Sequence, residues 1–391
     1  MSDAREVFFI AGEVSGDRHA APVVRALVDE GLRVCGVGGK SMADAGAELL
    51  ADATDWGAIG ITESVRRYPG LCLQARRLRR IIAARRPAVV VLVDFGYFNC
   101  WMARQVKKAG LSRVVYYFPP GSWRQQARDW SWLASITDLV LTPFSVNAGH
   151  LQASGVNVRW VGHPVVDMLS PAPDRAALRG ELGLPPTSPC IGLLPGSRGM
   201  ERGCLGPKML QAAAVIRDAV PSAHFLWSSV DRPGGTEAAL NRRLQGLAGV
   251  TAVADSHRIL RASDLVVTKM GTVTLEAAAA LTPMVATYDG PWLAKFFFDA
   301  IQRHAQRFYA MPNLLMGEQI VPEVVPDSYR QSVTGAARAH EALALLGDPA
   351  ATATMQEGLG RVREKLGEPG VSQRVARWIA LAATQDSDLP L

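Results

Sequence analysis

The stretch Val7-Phe8-Phe9-Ile10-Ala11-Gly12-Glu13-Val14-Ser15-Gly16-Asp17 decides how the rest of the chain is read. The unbroken apolar run from Val7 to Ala11 reads as a strand buried on both faces. Gly12 and Gly16 permit a tight turn with close backbone approach, and Ser15 or Asp17 can cap the helix that follows. Glu13 and Asp17 then stand at the carboxyl end of the first strand, the edge where open α/β sheets bind ligands. A plain turn with a capping aspartate is the competing reading. The G-x-G-x-x-G spacing is absent, so the turn is not a dinucleotide fingerprint.

Working outward, the first half repeats this pattern. Short runs at Val7–Ala11, Val34–Val37, Ala88–Val93, Val114–Phe118 and Leu139–Leu141 alternate with helical stretches such as His19 to Glu30, where Pro22 fits only in a first turn. That alternation predicts a doubly wound parallel sheet. Asp94 falls at the end of the third of these strands, and the fourth leads into the loop Pro119-Pro120-Gly121-Ser122-Trp123-Arg124. The helical stretch Leu71 to Arg86 crowds Arg76, Arg77, Arg79, Arg80, Arg85 and Arg86 beside the apolar side of Leu71, Ala75, Leu78 and Ile82. It reads either as a solvated surface helix or as a contact for an anionic phospholipid surface.

Composition narrows the class. A chain of 391 residues with 48% hydrophobic and 20% charged content fits a globular enzyme of two domains. The five cysteines lack C-x-x-C spacing, so neither disulfides nor zinc are expected, and a reducing cytoplasm is the simplest setting. No run approaches the roughly 18 apolar residues that span a bilayer, and the start lacks the basic and apolar regions of a signal peptide. The net charge of +6 favours anionic partners. No RNA-binding signature accompanies it, so nucleic acid is not expected.

After a stretch rich in Pro, Ala and Arg, read as a linker at 169–188, the α/β pattern starts again. Strands are expected at Cys190–Leu194, His224–Trp227, Val250–Val253, Leu265–Thr268 and Met284–Thr287. Gly271-Thr272 enters an Ala-rich helix with Thr272 as its N-cap, offering backbone N–H groups to a diphosphate. Glu276, about one turn on, can accept hydrogen bonds from ribose hydroxyls. Arg198 follows its strand through Pro195-Gly196-Ser197 and can reach the same diphosphate with two N–H groups. Two such Rossmann-like halves create a cleft between their carboxyl edges, with a nucleotide-diphosphate site on the second.

The motifs Ala11-Gly12-Glu13-Val14-Ser15-Gly16-Asp17, Val161-Gly162-His163-Pro164, Leu194-Pro195-Gly196-Ser197-Arg198 with Glu201, Gly271-Thr272-Val273-Thr274-Leu275-Glu276 and Pro312-Asn313-Leu314 resemble those of the lipid-A-disaccharide synthases. They occur in the family's order from about residue 7 to residue 325. The resemblance implies a fold of two Rossmann-like α/β domains facing a cleft, the GT-B type. It also implies an inverting glycosyltransferase that needs no metal or cofactor. Such an enzyme transfers an acylated glucosamine from UDP-2,3-diacylglucosamine to a lipid monosaccharide phosphate. It works at the cytoplasmic face of the inner membrane.

By that resemblance, residues 1–168 bind the acceptor and residues 189–368 bind the UDP-sugar, while the helix in 369–391 packs across domains or onto a partner subunit in a swapped homodimer. The implied nucleotide contacts are Gly196, Ser197, Arg198, Glu201, Gly271, Thr272, Glu276 and Asn313; the acceptor contacts are Ser15, Gly16, Tyr97, Asn99 and His163. Asp94, Asp17, Glu13 and His19, all at strand ends, are the candidates for the catalytic base, with Asp94 or Asp17 favoured. The chain also departs from the family. Where the family reads Asp-x-Pro-Asp-Phe-Asn and uses the second Asp as base, this chain has Tyr97, and a phenol of pKa about 10 is a poor base. Met270 replaces the serine before Gly-Thr, and Gly317-Glu318-Gln319 replaces Gly-Arg-Glu. These departures keep open a different UDP-sugar enzyme on the same fold, or an inactive membrane-associated relative. The apolar segment Trp292-Leu293-Ala294-Lys295-Phe296-Phe297-Phe298 reads as a second membrane contact or as a buried helix.

Overall fold

A computed structural model describes residues 5–53, 56, 61–121, 129–170, 174–230, 235–290, 307–328 and 331–384. The loop at Trp123 and Arg124 and the segment Trp292 to Phe298 lie outside the described residues. The chain divides into two compact units: residues up to Asp167 together with those from Leu366 onward, and Met168–Lys365.

In the first unit, β1 (Glu6–Ala11), β2 (Arg33–Gly38), β3 (Glu48–Asp52), β4 (Val89–Val93), β5 (Arg113–Tyr117), β6 (Leu139–Thr142) and β7 (Val158–Trp160) form a parallel sheet of order β3-β2-β1-β4-β5-β6-β7. Val7 to Ala11 and Val89 to Val93 are all fully buried, which is what continuous apolar runs in a parallel sheet require. The strand order reverses between β1 and β4, and Ala11 stands opposite Val93. The Gly12 and Asp94 turns therefore leave the sheet side by side at its switch point, the expected place for a ligand.

The second unit repeats the plan. The strands β8 (Cys190–Leu194), β9 (His224–Ser228), β10 (Val250–Val253), β11 (Leu265–Lys269), β12 (Met284–Thr287) and β13 (Glu323–Val324) take the order β10-β9-β8-β11-β12-β13, again parallel. Its switch point falls between β8 and β11, with Thr268 opposite Leu194. Pro195-Gly196-Ser197-Arg198 and Lys269-Met270-Gly271-Thr272 thus emerge as neighbours.

Three local expectations are corrected. The first helix starts earlier, at Val14, and runs to Asp29 with Pro22 in its interior. Neither Ser15 nor Asp17 caps it: Glu13 holds the N-cap position, and its side chain makes no cap bond to the helix. Thr272 has helical backbone angles and makes no cap bond to the helix Val273–Ala279; Thr274 Oγ1 donates to the Gly271 carbonyl instead, at 2.7 Å. Residues 169–188 contain a short helix. Their helix Arg175–Glu181 packs on the helix Ser256–Ala262, and Arg175 and Arg179 pair with Asp264 at 2.6 and 3.4 Å, which fastens the stretch to the second unit.

The last helix, Val371–Thr384, expected across both domains or on a partner, packs on the Val14–Asp29 helix and on β4 and β5 of its own chain. Both its ends are held. The Asp167 carboxylate accepts hydrogen bonds from the Gly370, Val371 and Ser372 N–H groups at 2.7, 3.2 and 2.8 Å. Arg5 and Arg113 donate to the terminal carbonyls of Ala383 and Ala382 at 2.6 and 2.9 Å. A carboxylate at the amino end and cations at the carboxyl end match the helix dipole.

Candidate active site

The ligand edge of the first unit is built by two turns locked together. A Cβ on Gly12 would overlap the Phe95 ring, so only glycine lets this ring lie across the turn. Asp94 and Phe95 both have left-handed backbones, with φ of 49° and 52°, an arrangement that costs energy for non-glycine residues and marks sites where geometry is imposed. The cause is visible beneath them. The buried Asn99 amide donates to the carbonyls of Ile10, Val93 and Asp94 at 3.3, 3.2 and 2.9 Å, and the Tyr116 hydroxyl donates to the Asp94 carbonyl at 3.0 Å. Asn99 thus staples the ends of β1 and β4, leaving the half-buried Asp94 side chain at the edge.

Asp17 is buried and its carboxylate is fully engaged. Oδ1 accepts from the Gly39 and Met42 N–H groups at 2.8 and 3.0 Å, and Oδ2 from Ser41 at 3.1 Å. It caps the helix Lys40–Asp44 that follows β2, whose own N-cap residue, Gly39, has no side chain to do so. Glu13 and Ser15 are half-buried on the β1 turn, and Gly16 packs 3.6 Å from the Val93 carbonyl, measured from where its Cβ would be. Tyr97 is 100% exposed on the helix Gly96–Lys108.

His163 is buried among aromatic rings, edge-on to His19 and Phe118 at 5.6 and 5.3 Å, while His19 stacks on Phe118 at 4.7 Å. Burial, reinforced by His19, holds the His163 imidazole well below its ordinary pKa and therefore neutral. Its Nδ1 accepts from the Val165 N–H at 3.2 Å, so the ring secures the bend after β7.

In the second unit, Gly196 has φ of 102°, and a Cβ there would run into the Glu201 carboxylate. The turn is held from below by Arg202, which the sequence reading passed over. This fully buried guanidinium donates to the Gly196 and Ser228 carbonyls at 3.1 and 2.9 Å, pairs with the buried Glu237, and lies 5.3 Å over the Trp227 ring. An arginine one turn into a mostly apolar helix was the available signal. Ser197 is exposed, and Arg198 stands half-exposed with Nη1 3.5 Å from Glu201 Oε1.

The neighbouring turn carries a second cation, Lys269, whose Nζ lies 2.9 Å from the same Glu201 oxygen. Gly271, with φ of 149°, leads into the Val273–Ala279 helix; Glu276 on that helix meets His257 Nε2 at 3.5 Å. Asn313 is buried and its amide is fully used: Oδ1 accepts from Ile320 and Val321 at 2.7 and 2.9 Å, and Nδ2 donates to the Val321 carbonyl and Glu323 at 2.9 and 2.8 Å. It fixes the approach to β13. Beyond β12, the buried Asp289 accepts from Ser332 at 2.8 Å and pairs with Lys208. Burial pushes its pKa up, but the bonds from Lys208, Ser332 and the Gly290 N–H outweigh this and leave it below the usual carboxylate value.

Each ligand edge thus combines a glycine turn, a buried polar staple and one or more outward charges. The first edge has carboxylates suited to accepting a proton, and the second has guanidinium and ammonium groups suited to a phosphate. The family model for lipid-A-disaccharide synthetase matches residues 7–365. The lipid-A-disaccharide synthase of Anaeromyxobacter sp. (strain K) is 36% identical over 379 residues, 96% of this chain and 96% of that protein. That of Geobacter metallireducens is 31% identical over 375 residues, 95% and 96% of the two. Among solved structures, the S. aureus MnaA–UDP co-structure aligns with a TM-score of 0.65 at 13% identity, over 99% of this chain and 100% of the other, a likeness of fold. With matching motifs at both switch points and a family match across both units, this chain belongs to the lipid-A-disaccharide synthetase family.

Proposed function

We propose that this chain transfers an acylated glucosamine from UDP-2,3-diacylglucosamine to a lipid monosaccharide phosphate with inversion, forming the lipid A disaccharide. The family match over residues 7–365 carries this reading. In the reaction a base takes the acceptor hydroxyl proton, the freed oxygen forms the bond to the anomeric carbon, and UDP departs with the electrons of the broken bond. Asp94 is the base. Its half-buried side chain sits at the switch point on a turn stapled by Asn99, whereas Asp17 is buried one turn into the first helix and caps the helix Lys40–Asp44. Glu13 and Ser15 line the acceptor, and Asn99, Asp17 and His163 position the turns that present it. Arg198 stabilises the charge that develops on the departing diphosphate.

Two measurements test this. The disaccharide should form from UDP-2,3-diacylglucosamine and the lipid acceptor. Asp94→Asn should cut kcat by roughly 10²–10⁴-fold while UDP affinity stays at the wild-type value. A protein that binds UDP but makes no disaccharide has a different reaction, and a fully active Asp94→Asn variant removes Asp94 as base.

Both substrates carry acyl chains, and no helix among the described residues is long and apolar enough to cross a membrane. Instead, the helix Ile61–Arg85 packs beside Gly96–Lys108, and this pair exposes Leu73 (66%), Tyr97 (100%) and Trp101 (38%). Arg76, Arg77, Arg79 and Arg80 are exposed on the first of the two helices, whereas Arg85 is drawn into pairs with Glu6 and Glu48. Exposed aromatic and aliphatic side chains on a helix pair that also carries exposed arginines suit an anionic bilayer surface, here the cytoplasmic face of the inner membrane. The protein should co-sediment with phosphatidylglycerol vesicles more than with neutral ones, and Leu73→Ser with Trp101→Ser should reduce this. Equal partition onto both vesicle types would sink the assignment.

A further inference from the structure

The central strand β11 reads Leu265-Val266-Val267-Thr268-Lys269, buried until its final lysine. Because Thr268 pairs with Leu194, Lys269 leaves the sheet beside Pro195, the first residue of the Pro-Gly-Ser-Arg turn. Its side chain is only 21% exposed and its Nζ sits 2.9 Å from Glu201 Oε1, the oxygen that also faces Arg198 at 3.5 Å. The same Nζ is 3.1 Å from where a Cβ on Gly271 would stand, so the ammonium lies folded against the backbone of that glycine. Met270, between them, is buried and has no N–H or O–H group in its side chain to offer a ligand.

Arg198 Nη1 and Lys269 Nζ both face this one carboxylate oxygen, so two cationic side chains converge where the two turns meet. An ammonium has three N–H donors, and the pair with Glu201 takes one. A lysine–carboxylate pair near the surface contributes little to stability, so folding alone does not account for a charge placed at the end of a buried strand.

We propose that Lys269 is a second cationic ligand of the donor diphosphate, acting beside Arg198, and that Glu201 is the carboxylate that holds the ammonium against Gly271. The inference rests on the reading of this edge as the UDP site. Lys269 satisfies phosphate oxygens that the thioether at Met270 cannot, and Glu201 keeps the long side chain from sampling other rotamers.

The test is calorimetry of UDP binding with Lys269→Met, which removes the charge and keeps most of the stem. UDP affinity should fall roughly tenfold, uridine binding followed by ligand-observed NMR should be unchanged, and Lys269→Arg should recover most of the loss. Wild-type UDP affinity in Lys269→Met, alongside weakened binding in Arg198→Ala, overturns the assignment and leaves the UDP site standing. Equal losses for UDP and uridine also overturn it, since a phosphate ligand does not act on the nucleoside. If the unaltered protein binds no uridine nucleotide at all, the reading of the edge fails and this inference with it.

Discussion

Asp17 illustrates how one buried carboxylate can shape the backbone around a candidate site. Three backbone N–H groups converge on it across the gap between the first helix and the turn after β2. Without those bonds, the buried N–H groups of Gly39 and Met42 would have no acceptor, a cost of about 2 kcal/mol. Asp17→Ala should therefore lower the free energy of urea unfolding by that order, while Asp17→Asn, which keeps one carbonyl oxygen, should lose less. Equal stability of Asp17→Ala and the wild type would falsify the cap. The sequence made Asp17 legible as a capping carboxylate, but not which helix it caps, because its partners lie 22 to 25 positions away. Lys269 is not legible for a related reason: a lysine ending a strand is ordinary in sequence, and only the fold brings Glu201 to it across the turn.

Among the elements, legibility followed burial. Central strands such as β1, β4, β8 and β11 are unbroken apolar runs and were plain in the sequence. The strands missed were β3, β7 and β13, all at sheet edges. An edge strand buries less, so β3 can begin with Glu48 and end with Asp52, and β13 needs only Glu323 and Val324. The helix Val371–Thr384 was legible by its periodicity, but its docking place was not, since its Asp167 cap comes some 200 residues earlier. That cap can be measured. Asp167→Ala frees three N–H groups at the helix start and should cost about 1–2 kcal/mol, with faster amide exchange along residues 371–384. Unchanged exchange there would mean that apolar packing alone seats the helix.

At the scale of the whole molecule, both units obey one rule: each places its working turns where the strand order reverses, between β1 and β4 and between β8 and β11. Glycine-turn motifs at these two points made the doubled fold readable without contacts. The course of the chain after Lys365 was not readable in that way, since a short amphipathic helix can cover many apolar surfaces equally well. Here it closes the first unit, over the Val14–Asp29 helix and the strands that carry Asp94 and Tyr116.

This return has a consequence for how the protein is made. A ribosome delivers the sheet of the first unit early, then spends roughly ten to forty seconds on the intervening 200 or so residues, at about 5–20 residues per second. Throughout that interval the second unit can finish folding, while the nascent first unit waits with an apolar face still uncovered. The half that is translated first is the half that matures last.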